Sequence, residues 1–486
     1  MFEISKNEVK ERLYFDNPWW EKGYKENKQV SKYPKRSYFE SFYDLIIDKD
    51  VNRAVILMGP RRVGKTVLVY HAIQELLNKN INGNNILYLS IETPIYTGLS
   101  LEKALRLFVE EFSHKRDDEE IYVFYDEIQY LKDWEIHLKS LVDSYPTYKF
   151  VATGSAAAAL KLKSQESGAG RFTDFILPPL TFSEFIRFIN KKELIKKPTD
   201  ENNFYSTDNI KELNKEFINY LNYGGYPEAV FSEKIQSDSS RYIKSDIIDK
   251  VLLRDLPSLY GISDIQELNR LFAVLAYNTG REISYDTLAK SSGISKNTLR
   301  KYLEYLEAAF LIKRVYRIDQ NAQRLKRVTT FKIYLTNPSM RAALFGNIDT
   351  NSDFMGELTE TAIYSQWLHS ENIDRLFYAR WKKGEIDLVY CGGEQFTTQW
   401  FVEIKWTDRA FSDNSLLNNC VEFFNNNSEY LTDEEITVTT LSVENKKNYQ
   451  NITFQFVPSS LYTYTVSTNL LKLKSNPIKP RSEEKP

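Results

Sequence analysis

Cysteine is nearly absent from this chain. Cys391 and Cys420 are the only two in 486 residues, which leaves room for at most one disulfide and shows no metal-ligand spacing. Histidine numbers four, so a histidine-built metal centre is equally disfavoured. Long apolar runs are missing, and none approaches the roughly 20 residues that span a bilayer, so a membrane is not an expected partner. A surplus of one charge is missing too. The 64 basic and 66 acidic residues give a formal net charge of −2, which excludes a uniformly basic coat and makes any nucleic-acid surface a local patch. Glu3, Lys6, Glu8 and Lys10 stand at the N-terminus in place of a secretory core, and a reducing cytoplasm is the expected location. With 42% hydrophobic residues, the chain is expected to fold as about three units, because single cores rarely outgrow about 250–300 residues.

What is present begins at residue 59. Gly59-Pro60-Arg61-Arg62-Val63-Gly64-Lys65-Thr66 is a complete G-x-x-x-x-G-K-T loop, preceded by the apolar run Ala54 to Met58 and followed from Val67 by apolar residues at helical spacing. The glycines let the backbone curl so that its N–H groups point at phosphate oxygens, and the helix N-terminus adds its positive dipole end. ATP is the expected ligand of residues 59 to 67, with Lys65 reaching the β- and γ-phosphates and Thr66 holding Mg²⁺. Arg61 and Arg62 either contact phosphate or face solvent.

A second apolar strand, Ile121 to Tyr125, ends in Asp126-Glu127. Asp126 is the expected second Mg²⁺ ligand and Glu127 the base that polarises the attacking water. A third, Lys149 to Ser155, ends in small hydroxyl residues, of which Thr153 or Ser155 is the candidate sensor of the γ-phosphate. These segments resemble the AAA-type ATPases of archaea and bacteria whose loop reads G-P-R-R-V-G-K-T and whose sensor strand ends in T-G-S. The likeness extends to Asn17-Pro18-Trp19-Trp20, Gly170-Arg171-Phe172, the stretch Pro178 to Phe185 and Gly224-Gly225-Tyr226-Pro227-Glu228-Ala229. Arg171 follows a Gly/Ser-rich piece and is a candidate arginine finger; an ion pair with a nearby acid is the alternative. Asn17 to Trp20 either cover an adenine or staple the N-terminal arm to the core.

Residues Thr181 to Pro257 alternate apolar and charged positions at helical spacing, and the resemblance implies a lid. Residues Ser284 to Leu303 then fit helix, glycine turn at Gly293, and a second helix capped by Ser295, the pattern of a winged helix. Between Arg281 and Lys332, twelve basic residues face five acidic ones. That local excess makes DNA an expected partner, with Lys296, Asn297, Arg300 and Lys301 in a groove and Arg324 to Arg327 on the wing. A spacer between proteins is the alternative.

The last third reads Gly356-Glu357-Leu358-Thr359-Glu360, Gly384-Glu385-Ile386-Asp387 and Phe401-Val402-Glu403-Ile404-Lys405-Trp406. It resembles the restriction-endonuclease-like fold. Strand alternation puts Glu403 and Lys405 on one face, able to converge with Asp387. The resemblance implies Mg²⁺ on Glu360, Asp387 and Glu403, with Lys405 activating water.

The expected fold class is α/β: an N-terminal arm (1–35), a P-loop ATPase core (36–178), a helical lid (179–258), a winged helix (259–345), a restriction-endonuclease-like domain (346–470) and a disordered tail (471–486). The expected function is an ATP-hydrolysing switch or motor coupled to DNA binding and to an Mg²⁺-dependent endonuclease site. The alternative is a regulatory ATPase that docks onto another protein and cuts nothing. A homo-oligomer is left open.

Overall fold

The computed structural model describes residues 5–475 except 29, 97, 116, 119, 156–169, 199–203, 324–328, 395, 433 and 434. The tail from residue 476, most of the Gly/Ser-rich piece before Arg171 and the residues Arg324, Lys326 and Arg327 expected on a wing therefore lie outside the described residues. The final helix, Ser459–Ser475, runs through the first positions expected as tail. The chain folds as two compact units, Met1–Pro178 and Pro179–Pro486.

In the first unit, strands β1 (Ala54–Met58), β2 (Ile86–Ser90), β3 (Tyr122–Asp126), β4 (Lys149–Gly154) and β5 (Phe172–Ile176) form one parallel sheet in the order β2-β3-β4-β1-β5. Every residue of β1 is buried, as a strand covered on both faces requires. Strand β4 lies between β1 and β3, so the glycine loop after β1 and the acidic tip of β3 stand two strand spacings apart, about 10 Å, at the same edge. Strand β2 is the edge, and the N-terminal arm covers it. Asn17, fully buried, donates from Nδ2 to Tyr88 O (2.9 Å) and Leu13 O (2.8 Å) and accepts from Tyr88 N–H (2.6 Å). Trp19 and Trp20 both donate from Nε1 to Ile86 O, at 3.1 and 2.8 Å. These residues are a staple that satisfies an exposed strand edge.

The second unit is built on a nine-stranded sheet of β6 (Glu282–Ser284), β7 (Ile312–Ile318), β8 (Thr330–Leu335), β9 (Leu376–Arg380), β10 (Glu385–Gly392), β11 (Thr397–Glu403), β12 (Glu435–Thr440), β13 (Asn445–Tyr449) and β14 (Ile452–Pro458). Its order is β13-β14-β12-β11-β10-β9-β7-β8-β6. Helices Tyr285–Ser292 and Lys296–Ala308 precede the antiparallel pair β7–β8, and Gly293 ends the first helix in the left-handed conformation (φ 74°) that glycine adopts freely. Strand β7 then pairs in parallel with β9, so strands from segments 259–345 and 346–470 belong to one sheet. The segment expected as a lid is built into this unit as well. Phe182, Phe185, Phe217 and Leu221 share a core with Leu358, Tyr378, Trp400 and Leu461.

Candidate functional site

The phosphate loop owes its shape to two glycines. A Cβ on Gly59 would lie 2.2 Å from Leu177 O, so no side chain fits there. Gly64 has φ 95° and starts the helix Lys65–Asn78 from the left-handed region. Lys65 is 5% exposed, and its Nζ donates to Gly59 O (3.1 Å) and Pro60 O (2.9 Å), which keeps the ammonium over the loop. Pro60 and Val63 are buried in the loop, with Arg61 and Val67 half-buried and Arg62 exposed at φ 64°. Arg61 Nη2 reaches the Tyr130 hydroxyl at 3.4 Å.

Asp126 completes the loop's chemistry. Its Oδ2 accepts from Thr66 Oγ1 at 2.9 Å and from the Tyr88 hydroxyl at 2.8 Å, and its Oδ1 accepts from Thr153 Oγ1. Burial pushes this carboxyl up, Glu127 adds to the push, and the three hydroxyl donors oppose it. Thr66 and Asp126 thus form a pair of hard oxygen donors, which fits Mg²⁺, an ion that takes few protein ligands beside phosphate and water. Glu127 follows with φ 55°; its N–H donates to Thr153 Oγ1 at 3.1 Å. Ser155 is buried and its Oγ has no hydrogen-bond partner among the described residues, as suits a hydroxyl available to a ligand.

Two further residues escaped the motif reading. Tyr88, on the neighbouring strand, holds Asp126. Gln129 donates from Nε2 to Glu127 Oε2 and accepts from Ser155 N–H at 3.2 Å, linking the tips of β3 and β4. The spacing D-E-x-Q was the available signal for Gln129, whereas nothing in the text points from Tyr88 to Asp126.

Arg171 stands in an ion pair, one of the two alternatives for it. Its guanidinium pairs with Asp143 (Nε to Oδ1, 3.1 Å) in an exposed ion pair, and its carbonyl accepts from Ala54 N–H at the first residue of β1. The phosphate loop leaves the other end of that strand, about 16 Å away at strand rise. Within this chain Arg171 is an ion-pair residue and does not face the loop.

In the second unit Asp387, Glu403 and Lys405 do come together. Asp387 Oδ2 accepts from Ile404 N–H at 2.9 Å and from Lys405 Nζ at 3.2 Å, and Lys405 Nζ lies 2.6 Å from Glu403 Oε1. The pairing of β10 with β9 shifts between Ile386 and Val389, beside Asp387, the kind of irregularity that re-aims a side chain. A second ammonium enters from β8. Lys332, expected on a basic outer face, is 3% exposed; its Nζ lies 2.7 Å from Glu360 Oε1, 2.7 Å from Glu385 Oε1 and 3.6 Å from Asp387 Oδ1. Tyr334, two residues on along the same face, donates to Glu360 Oε1. Sequence reading missed Lys332, Tyr334 and Glu385 as members of this cluster.

Burial pushes the carboxyls of Glu360 and Glu403 up to about 7. Burial acts the same way on Asp387, but Lys405, Lys332 and the Ile404 N–H together hold it below its ordinary value. Lys332 is raised despite burial, by Glu360, Tyr334, Asp387 and Glu385. Among the described residues no group of three His, Cys, Asp or Glu side chains is spaced to hold a metal ion. Glu360 is tied to Lys332 and Tyr334, so the expected trio Glu360, Asp387 and Glu403 does not fit Mg²⁺ as arranged.

The helix Lys296–Ala308 buries Leu299, Leu303 and Leu306 and exposes Lys296, Asn297, Arg300 and Lys301. The surrounding charge is smaller than the count of basic residues implied. Arg281 pairs with Glu357, Lys313 with Asp374, Arg314 with Glu307 and Lys296 with Asp286. Cys391 and Cys420 are buried free thiols, and no helix among the described residues is long and apolar enough to cross a membrane.

A five-stranded parallel sheet, a glycine loop opening a helix and a buried aspartate meeting the loop's threonine define a P-loop domain of the AAA type. Residues 51–186 match the family described as "AAA domain", and residues 214–351 match one described as "Domain of unknown function (DUF8612)". An uncharacterised protein of Haemophilus influenzae is 28% identical over 313 residues, which cover 63% of this chain and 73% of that protein. An uncharacterised protein of Methanocaldococcus jannaschii is 25% identical over 380 residues, covering 75% and 79%. Among solved structures, the Aeropyrum pernix Orc1 protein in complex with DNA aligns at 12% identity and TM-score 0.31 over 68% of this chain and 95% of that one. Cdc6p from Pyrobaculum aerophilum aligns at 15% identity and TM-score 0.28 over 68% and 97%.

Proposed function

We propose that the protein is an ATP-binding and ATP-hydrolysing switch whose second unit contacts DNA through the helix Lys296–Ala308. The observation that carries the ATPase reading is the meeting of Thr66 with Asp126 at 2.9 Å beside the glycine loop, with Glu127 next in sequence. In this reading backbone N–H groups of the loop 59–66 and the Lys65 ammonium bind the phosphates, and Thr66 and Asp126 would hold Mg²⁺, which would neutralise charge on the transferring phosphoryl oxygens. Glu127 takes a proton from water at its carboxylate as that water attacks the γ-phosphorus, the bond from that phosphorus to the β,γ-bridging oxygen breaks and ADP leaves, the proton then passes to the released phosphate, and Ser155 Oγ hydrogen-bonds the γ-phosphate. Lys65→Ala should abolish ATP binding by calorimetry, whereas Glu127→Gln should bind ATP and release no phosphate. Turnover equal to wild type in both variants would refute the assignment.

The DNA reading is supported by the exposed row Lys296, Asn297, Arg300 and Lys301 on the second helix of a helix–turn–helix followed by the β7–β8 pair, the order of elements in a winged helix. A second reading, an endonuclease-like site, is favoured by the convergence of Asp387, Glu403 and Lys405. Plasmid incubated with the protein, Mg²⁺ or Mn²⁺ and ATP, beside Asp387→Ala, tests it. Cutting lost in the variant supports the endonuclease. Intact plasmid without salt-sensitive DNA affinity supports docking onto another protein instead.

A further inference from the structure

Four carboxylates, Glu360, Glu385, Asp387 and Glu403, gather around two ammoniums, Lys332 and Lys405, and each carboxylate lies against at least one ammonium. The ammoniums differ in origin. Lys405 belongs to the strand end that also carries Glu403, whereas Lys332 comes from β8, where it pairs with Glu282 of β6 and Val315 of β7. Its Nζ stands 5.3 Å from the centre of the Tyr378 ring, which covers it from a further side.

We infer that Lys332 is a resident counter-cation that takes the place of a divalent metal in this cluster, so that the cluster binds no Mg²⁺ while Lys332 is there. Mg²⁺ sits about 2.0–2.1 Å from its oxygen ligands. An ion bound to Glu360 Oε1 and Asp387 Oδ1 would lie in the space between oxygens that already bracket Nζ at 2.7 and 3.6 Å, and it would meet the ammonium at contact distance. Lys332 has no cheap way out. Withdrawing it would leave Glu360, itself buried, without its strongest partner and would strip Glu385 of one of its two cations, Lys332 and Arg380. The same ammonium joins three elements, β8, the helix Met355–Gln366 and β10, so it also locks the β7–β8 pair onto the rest of the sheet. Glu403 Oε2 is buried without a hydrogen-bond partner among the described residues, but its Oε1 is held by Lys405, and one open oxygen does not make a site for an ion that wants six ligands.

The inference concerns the same residues as the endonuclease-like reading, and the test separates the two. Mn²⁺ is the probe, counted by electron paramagnetic resonance on the full chain without nucleotide, in wild type, Asp387→Asn, Lys332→Met and Lys332→Met/Asp387→Asn. Any ion held by Thr66 and Asp126 is common to all four and cancels. Wild type is expected to hold no ion that Asp387→Asn removes, and Lys332→Met to gain one ion per chain that the double variant loses. A wild-type ion lost in Asp387→Asn overturns the inference, and so does a folded Lys332→Met that gains none. Should Lys332→Met fail to fold, Lys332→Gln, which removes the charge and leaves all four carboxylates and a polar side chain in place, is read in the same way. Plasmid added to each sample decides the endonuclease separately: wild-type cutting that Asp387→Asn abolishes supports the endonuclease, plasmid left intact by wild type removes it, and cutting gained together with an ion only in Lys332→Met supports the counter-cation alone.

Discussion

Gln129 is the residue on which the proposed chemistry of the first unit turns without touching phosphate. Glu127 follows β3 in a left-handed conformation, and Gln129 holds one of its carboxylate oxygens while the Gln129 amide oxygen takes the N–H of Ser155. One side chain therefore fixes the base relative to the candidate γ-phosphate sensor. Gln129→Leu keeps the volume and removes both bonds. A mispositioned catalytic group costs about tenfold to a hundredfold, so kcat should fall by about that factor while the calorimetric Kd for ATP stays within about threefold. An unchanged kcat would show that Glu127 needs no such support. The acidic cluster of the second unit gives a prediction at the same scale. Glu360 and Glu403 bind protons more tightly folded, at about 7, than at their ordinary value of 4.5. Between those values the native state carries more protons at these two groups than the unfolded chain, so their contribution to stability is fully present below about pH 4.5 and is lost as pH rises through about 7. Asp387 is shifted the other way and adds stability above its ordinary 3.8 that is lost only as pH falls below it, outside this window. Glu403→Gln should therefore flatten the decline in melting temperature between pH 5 and pH 8; a variant as pH-dependent as wild type would sink the assignment.

At the scale of elements, the staple on β2 shows how an edge strand is closed without a further strand. Asn17→Ala leaves the Tyr88 N–H and C=O without their partner at a buried position, and a buried group left unbonded costs about 1–3 kcal/mol, so a loss of about 2–4 kcal/mol is expected in chemical denaturation. A loss under about 0.5 kcal/mol would mean that water replaces the side chain freely. Elements set by local pattern were legible in the sequence. The five apolar residues of β1, the Ser295 cap and the Gly293 turn each carry their own cause within a few residues. Asp387, Glu403 and Lys405 were legible as well, because strand alternation and a short hairpin bring them together. Partners chosen over long sequence distance were not legible. That Phe182 and Phe185 share one side of a helix followed from their spacing, but nothing local says that their partners are Leu358 and Leu461. Lys332 was counted with the basic face because charge on a strand reads as exposed until the opposite elements, Glu360 and Glu385, are placed against it.

For the molecule as a whole, a net charge of −2 means that the proposed contact with DNA draws on a local group of basic side chains and not on the global field. Pairing narrows the set further. Four of the twelve basic residues between Arg281 and Lys332 face acids in ion pairs, and Lys332 is enclosed in the acidic cluster. Arg300 and Lys301 remain exposed on the helix Lys296–Ala308, with Arg300 resting 5.3 Å from the Tyr285 ring, a contact that orients its guanidinium without neutralising it. Each phosphate neutralised contributes about 0.9 to the slope of log affinity against log salt. The double variant Arg300→Ala/Lys301→Ala should therefore lower the magnitude of that slope by about two, measured by fluorescence anisotropy on a labelled duplex between about 50 and 200 mM salt. Both substitutions lie on an exposed face, so the melting temperature should hold. A wild-type protein without salt-dependent affinity, or a double variant with the wild-type slope, would move the contact off this helix and leave protein docking as the use of the second unit.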